Sequence, residues 1–247
     1  MTVRSDADLA GLRAIGGLVA QARDLMAGSV RIGMTTSELD DIGAKFLRSH
    51  GATSAPQTVY QFPGFNCISV NDEVVHGVPG NRHINAGDLV KIDVTAGLDG
   101  FIADSATTVL VPPEQEESRR LFACAQAAFA KAMAVIKAGT KVSEIGRAVH
   151  QETRARGFNV VRELCGHGVG HSIHEAPEVA NYYDPYQRSV LTEGLVIAVE
   201  PILSAKPTKL LQGKDGWTLS TSNHSLAVHY EHTVVVTNGD PIILTAA

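Results

Sequence analysis

Apolar residues recur at helical spacing near the start of the chain. Leu9, Leu12, Ile15, Val19 and Ala22 share one stripe, which predicts an amphipathic helix over roughly residues 5 to 28. Thr35-Thr36-Ser37-Glu38 reads as a capping box, because the Thr hydroxyl and the Glu carboxylate can satisfy each other's free amide groups. The helix it opens carries Leu39, Ile42, Phe46 and Leu47 and is expected to stop at Gly51, a left-handed cap. Residues 86 to 111 read as strands, and Pro112-Pro113 breaks that pattern. An Ala-rich helix is predicted from about Glu114 to Ala138, closed by Gly139, and a shorter one from about Ser143 to Arg156. From Phe158 onward the pattern is strand and turn.

The two halves of the chain echo each other. Val30-Arg31-Ile32-Gly33 aligns with Ile136-Lys137-Ala138-Gly139, Ser37-Glu38-Leu39 with Ser143-Glu144-Ile145, Ile92-Asp93 with Val199-Glu200, and Asp104 with Glu231. The offset superposes carboxylates on carboxylates within apolar strands, where chance would more often set them at turns. We therefore expect a single catalytic domain over 1–247 with pseudo-repeat halves of roughly 1–112 and 113–247.

Those carboxylates carry the chemistry. Asp93 sits in Leu89-Val90-Lys91-Ile92-Asp93-Val94, Glu200 ends Leu195-Val196-Ile197-Ala198-Val199-Glu200, and Glu231 precedes Thr233-Val234-Val235-Val236. A buried carboxylate is costly unless something pairs with it. Lys91 is the only basic residue in these runs and is expected to point away from Asp93. Ala96-Gly97-Leu98-Asp99-Gly100 signals a hairpin. An even-numbered loop puts Asp93 and Asp104 on one face, and a four-residue loop would set them directly opposite, where a shared cation would relieve their repulsion. Cys165-Gly166-His167-Gly168-Val169-Gly170-His171-Ser172-Ile173-His174-Glu175 adds three histidines among glycines. A set of two Asp, two Glu and at least one His suits hard or borderline divalent ions such as Mn, Fe, Co or Zn, and its richness in carboxylates suggests two ions with bridging carboxylates.

Composition narrows the alternatives. The 247 residues are 44% hydrophobic and 19% charged, with a net charge of -5, so one globular domain is expected and no basic surface for a nucleic-acid backbone. No apolar run is long enough to span a membrane, and the acidic start of the chain is not a secretory signal. Three widely spaced cysteines, Cys67, Cys124 and Cys165, argue against a disulfide framework or a Cys-rich zinc site and fit a reducing cytoplasm.

The order of motifs resembles the type I methionine aminopeptidases, metallopeptidases of the pita-bread (creatinase/aminopeptidase-like) fold. The motifs are Asn71-Asp72-Glu73-Val74-Val75-His76-Gly77-Val78-Pro79, Lys91-Ile92-Asp93-Val94-Thr95, Asp104-Ser105, Cys165-Gly166-His167-Gly168-Val169-Gly170, His174-Glu175-Ala176-Pro177, Val199-Glu200-Pro201, Lys214-Asp215-Gly216-Trp217-Thr218 and Tyr230-Glu231-His232-Thr233. The resemblance covers nearly the whole chain. It implies an α+β fold of two pseudo-symmetric α/β halves, with a central antiparallel sheet covered by helices. It implies removal of the N-terminal methionine from nascent proteins with a small second residue, through a hydroxide bridging two divalent ions (Co, Mn, Fe or Zn). Asp93, Asp104, His167, Glu200 and Glu231 are the implied ligands, with Asp104 and Glu231 bridging. Glu200 is the implied proton acceptor, His174 the oxyanion donor and His76 the group at the scissile nitrogen. Phe62, Cys67, Ile173 and Trp217 are the candidate lining of the methionine pocket, while His171, His229 and His232 are expected to be non-catalytic. Two departures stand out: Val59-Tyr60-Gln61-Phe62-Pro63 replaces a tyrosine-rich stretch, and Ile173 stands where an aromatic is common.

The same resemblance implies a cytoplasmic monomer acting on nascent polypeptide N-termini, with a transient ribosome contact that no motif encodes. The short form, without a zinc-binding N-terminal extension or the long insertion of type II enzymes, is expected. Because Met1 is followed by Thr2, self-processing is expected too. Rival readings are a relative that cleaves before proline, a non-catalytic binding module on the same fold, and a two-metal phosphatase. The last lacks any phosphate-cradling loop here.

Overall fold

The computed structural model describes residues 1–246. Five helices pack outside antiparallel sheets. They are α1 (Asp6–Ser29), α2 (Thr36–Ser49), α3 (Ala55–Tyr60), α4 (Glu116–Met133) and α5 (Val142–Ala155). The capping box opens α2 as expected: Thr35 Oγ1 accepts from the Glu38 amide at 3.1 Å, and Glu38 Oε2 accepts from the Thr35 amide at 2.7 Å. Gly51 follows the end of α2 with φ 77°. The Ala-rich helix is shorter than its composition predicts and stops at Met133. The Ala138 amide donates instead to the Thr237 carbonyl at 2.9 Å, so tertiary pairing draws residues 134–138 off the helix before Gly139 turns the chain.

One sheet holds β1 (Thr53–Ser54), β2 (Cys67–Val70), β4 (Leu89–Leu98) and β5 (Phe101–Leu110), with β4 at its centre. A second runs β15 (Ile242–Ile243), β14 (His232–Val235), β9 (Val196–Val199), β7 (Cys165–Gly168) and β8 (Glu175–Ala180). Two three-stranded sheets complete the fold: β6 (Asn159–Val160), β10 (Ile202–Ser204) and β13 (Ala227–His229), and β3 (Glu73–Val75), β11 (Leu210–Gln212) and β12 (Leu219–Thr221).

Period-2 alternation sorts the side chains of β4. Val90, Ile92, Val94 and Ala96 enter the core beneath α1 and α2, together with Ile15, Val19, Met26 and Leu39. The opposite face carries Lys91, Asp93 and Thr95. Lys91 therefore shares a face with Asp93 rather than pointing away from it. Its buried ammonium does not pair with the carboxylate but donates to the carbonyls of Asn71 at 2.7 Å and Ala227 at 3.1 Å. In the other half α4 and α5 cover Ile197, Val199 and Val234 with Phe129, Ile145 and Val149. The halves join where β5 meets β14: Ala106 and Glu231 exchange backbone bonds, and Thr233 Oγ1 bridges the amide and carbonyl of Asp104 at 2.9 and 2.8 Å.

Candidate active site

The β4–β5 hairpin fixes the first two carboxylates. Its turn is the two-residue Asp99-Gly100, both at positive φ (50° and 83°), the Asp-Gly pattern of a tight hairpin. Asp93 therefore opposes Ala106 and Asp104 opposes Thr95. The parity argument holds, since both aspartates use one face. The four-residue loop does not occur, so they are diagonal neighbours rather than directly opposed. Thr95 Oγ1 donates to Asp104 Oδ1 at 2.8 Å, a bond the pairing makes inevitable.

His167 arrives on β7, where Nδ1 meets the Gly168 carbonyl at 2.9 Å and Nε2 faces Glu200 Oε1 at 3.6 Å and Asp104 Oδ2 at 3.9 Å. Glu200 follows β9, its carbonyl held by Asn181 Nδ2 at 2.8 Å. Glu231 precedes β14 and is 2% exposed. The structure thus brings Asp93, Asp104, His167, Glu200 and Glu231 to one cavity of about 350 Å³, and Asp104, His167 and Glu231 offer atoms close enough to share an ion.

Electrostatics explains why this cluster needs cations. Among the described residues no Lys or Arg forms an ion pair with any of the four carboxylates. Burial raises Asp93 well above the ordinary carboxylate range, and the charge of Asp104 adds to it. Burial likewise raises Asp104 to about 6, and raises Glu200 and Glu231 well above their usual values with the neighbouring carboxylates contributing. Desolvation pushes His167 down to about 4 and His229 to about 3, so neither imidazole is a counter-charge near neutrality. Asp93 Oδ1, Glu231 Oε1 and both ring nitrogens of His229 are buried without a hydrogen-bond partner. Buried oxygens left bare beside like charges, with neutral imidazoles among them, are a donor set fitted to divalent cations.

Apolar walls complete the cavity. Phe62, Cys67 and Ile173 are buried, and Trp217 meets Phe62 edge-on with ring centroids 5.3 Å apart. Burial, with Asp93 beside it, drives the Cys67 thiol well up, so it stays neutral against the cluster it faces.

The mouth is built differently. His76 follows β3 at φ 57°, and the next residue must be glycine, because a Cβ on Gly77 would fall 2.2 Å from the Ile68 carbonyl oxygen. His76 and His174 both reach solvent, yet the surrounding walls desolvate their rings and lower both below the ordinary imidazole value. His174 is held by a residue that sequence reasoning passed over: the Tyr60 hydroxyl lies 2.7 Å from His174 Nδ1. Tyr60 lies in the stretch already conspicuous for its departure from a tyrosine-rich pattern, but nothing local shows that it spans 114 residues to reach this ring. Asn181 and Thr95 were missed as well, and His229, expected to be idle, faces the cluster.

The fold gives residue 1 a structural place. The Met1 side chain, 9% exposed, packs with Leu12, Val169, Val196, Val235 and Leu244. Its amino group donates to Glu175 and to the Val169 carbonyl, and its own carbonyl accepts from the Val196 amide. In this fold Met1 belongs to the core and is not presented to the cavity.

Comparison with known proteins agrees with the site. The model of metallopeptidase family M24 matches residues 10–238. A Bacillus subtilis protein named methionine aminopeptidase 2 is 46% identical over 247 residues, covering 99% of each chain. A Staphylococcus epidermidis methionine aminopeptidase is 44% identical, covering 99% of this chain and 98% of its own. The crystal structure of methionine aminopeptidase from Rickettsia prowazekii superposes with a TM-score of 0.95 at 34% identity, covering 100% of both chains.

Proposed function

Because the chain belongs to metallopeptidase family M24, we propose that it is a methionine aminopeptidase of pita-bread fold, which removes the N-terminal methionine of nascent proteins with a small second residue. The observation that carries the reading is the convergence of four buried, unneutralised carboxylates and His167 on a cavity that also holds an apolar lining and two solvent-reaching histidines.

Asp93, Asp104, His167, Glu200 and Glu231 would hold two divalent ions, with Asp104 and Glu231 shared. When bound, such ions ionise a water near neutrality and polarise the scissile carbonyl. The rest belongs to the chain. Phe62, Cys67, Ile173 and Trp217 receive the methionine side chain. Glu200 accepts the proton released from the attacking water. With the Tyr60 hydroxyl 2.7 Å away as donor to His174 Nδ1, the ring proton would stay on Nε2, where a neutral His174 donates to the carbonyl oxygen as negative charge develops there. His76 contacts the scissile nitrogen and assists departure of the amine.

Co, Mn, Fe(II) and Zn are the candidate ions. The working form is a monomer with pseudo-repeat halves 1–112 and 113–247, acting on nascent chains in the cytoplasm. Among the described residues no helix is long and apolar enough to cross a membrane. The test is hydrolysis of Met-Ala-Ser by metal-stripped protein, with each ion added back under anaerobic conditions. Free methionine released only with metal supports the reading. Cleavage of an Ala-Pro peptide instead, or no release with any ion by folded protein, overturns it.

A further inference from the structure

The five-residue set leaves one buried imidazole without a role. His229 ends β13, opposite Ile202 of β10, and Thr108 clamps its backbone: Thr108 Oγ1 accepts from the His229 amide at 3.0 Å and donates to its carbonyl at 2.9 Å. The ring thus has little choice but to enter the cavity, where it is 2% exposed. Neither ring nitrogen has a hydrogen-bond partner, an arrangement that a fold tolerates when something else satisfies the group.

Nε2 lies 3.2 Å from Glu231 Oε2 and 3.6 Å from Glu200 Oε2. Donors bound to one cation at about 2.0–2.2 Å stand roughly 3–3.5 Å apart, so these are the separations of groups that share an ion. Glu200, His229 and Glu231 form a donor triplet alongside the one made by Asp104, His167 and Glu231. We propose that His229 Nε2 is a sixth protein donor of the metal centre, bound with Glu200 and Glu231 to one divalent ion. This rests on the dinuclear reading above. A second nitrogen donor tilts the centre toward borderline ions such as Zn, Co and Fe(II) and away from Mn.

The decisive experiment loads the wild-type protein with Co(II) and counts the paramagnetically shifted, solvent-exchangeable imidazole N–H resonances by proton NMR. The expected result is two such signals, with one missing in His229→Gln. In parallel, competition titrations should show the Zn affinity of His229→Gln lower by more than the roughly 10–100-fold that loss of an outer-shell partner costs, with the Mn affinity changed less. A single imidazole signal in the wild type, the result if His229 merely donates to a carboxylate, overturns the proposal while the dinuclear reading stands. Absence of any bound divalent ion in the wild type overturns both. The wild-type count needs no variant, so a misfolded His229→Gln protein does not blunt the test.

Discussion

Asp93 and Asp104 leave the middle of a hairpin whose two ten-residue strands pair along their whole length, while His76 and His174 leave segments that reach solvent. The floor of the cavity is held by ladder bonds, a buried core beneath α1 and α2, and the strand alternation that sets each side chain's direction. The mouth is held by fewer bonds: the Ile68 amide donates to the Gly77 carbonyl at 2.9 Å and the Gly77 amide to Ser69 Oγ at 3.0 Å behind the positive-φ His76, while His174 meets the Tyr60 hydroxyl and, edge-on, the His167 ring with centroids 4.3 Å apart. A rigid floor suits groups that must keep several donors at fixed separations around an ion. A looser mouth suits groups that must admit a peptide and then grip a developing charge. Damage to the floor should remove the metals, and damage to the mouth should remove rate alone.

The largest effect expected of that contrast comes from the floor. Asp104→Asn or Glu231→Gln should abolish both metal binding, read by titration calorimetry, and methionine release. An active, metal-loaded Glu231→Gln protein would break the distinction at its root. Next, His174→Ala should keep the metals and fold but lose roughly 10²–10³-fold in kcat, as removal of a charge-stabilising donor does. Weakened metal binding in that variant would show that floor and mouth are one unit.

The same contrast sets what the sequence discloses. Parity alone puts Asp93 and Asp104 on one face, because side chains alternate whatever the loop, provided its length is even. The register needs the turn itself, and Asp99-Gly100 with its two positive-φ residues chooses the tighter one. The capping box and α1 are local and readable. The early stop of α4 is not, because the Ala138–Thr237 bond that causes it joins distant segments. Tyr60 reaching His174, and His229 entering the cavity beside ligands from other strands, belong to that non-local kind. Lys91 is a simpler case: alternation by two already put it on the face of Asp93, and only its carbonyl partners required the fold.

A pH series sharpens the account of the floor. In the metal-free protein the four carboxylates are raised, Asp104 to about 6 and the others well above their ordinary values. A carboxyl that binds its proton more tightly when folded stabilises the fold below its ordinary value and loses that contribution as pH rises through the folded value. His167 and His229 are lowered to about 4 and 3, so their contribution is present above the ordinary imidazole value and lost on acidification. Above about pH 7, therefore, the carboxylates govern the metal-free protein. Lys91, lowered to about 7 by burial, works in the opposite sense above that pH. The melting temperature of the metal-free protein should fall relative to the metal-loaded one as pH rises through about 6, where Asp104 ionises, and beyond as the other three follow, by about 2–4 °C per kcal/mol in a chain of this size. Parallel curves would mean that the four carboxylates are not electrostatically frustrated without metal.

The smallest predicted effect is the most specific to this chain. Tyr60→Phe removes one hydroxyl from a half-exposed residue and leaves the ring tilted against His174 with centroids 5.7 Å apart. The floor is untouched, so metal affinity and melting temperature should not move. What changes is the tautomer of His174: without a donor at Nδ1, the proton is shared between the two nitrogens, and Nε2 carries it only part of the time. A lost hydrogen bond of about 1 kcal/mol corresponds to roughly a fivefold drop in kcat. KM should change little, because the oxyanion contact strengthens as the carbonyl is attacked, a change confined to the transition state. An equal rise in KM with kcat intact would make Tyr60 a peptide-binding residue rather than one that positions His174. A loss as large as that of His174→Ala would mean that the hydroxyl itself holds the oxyanion.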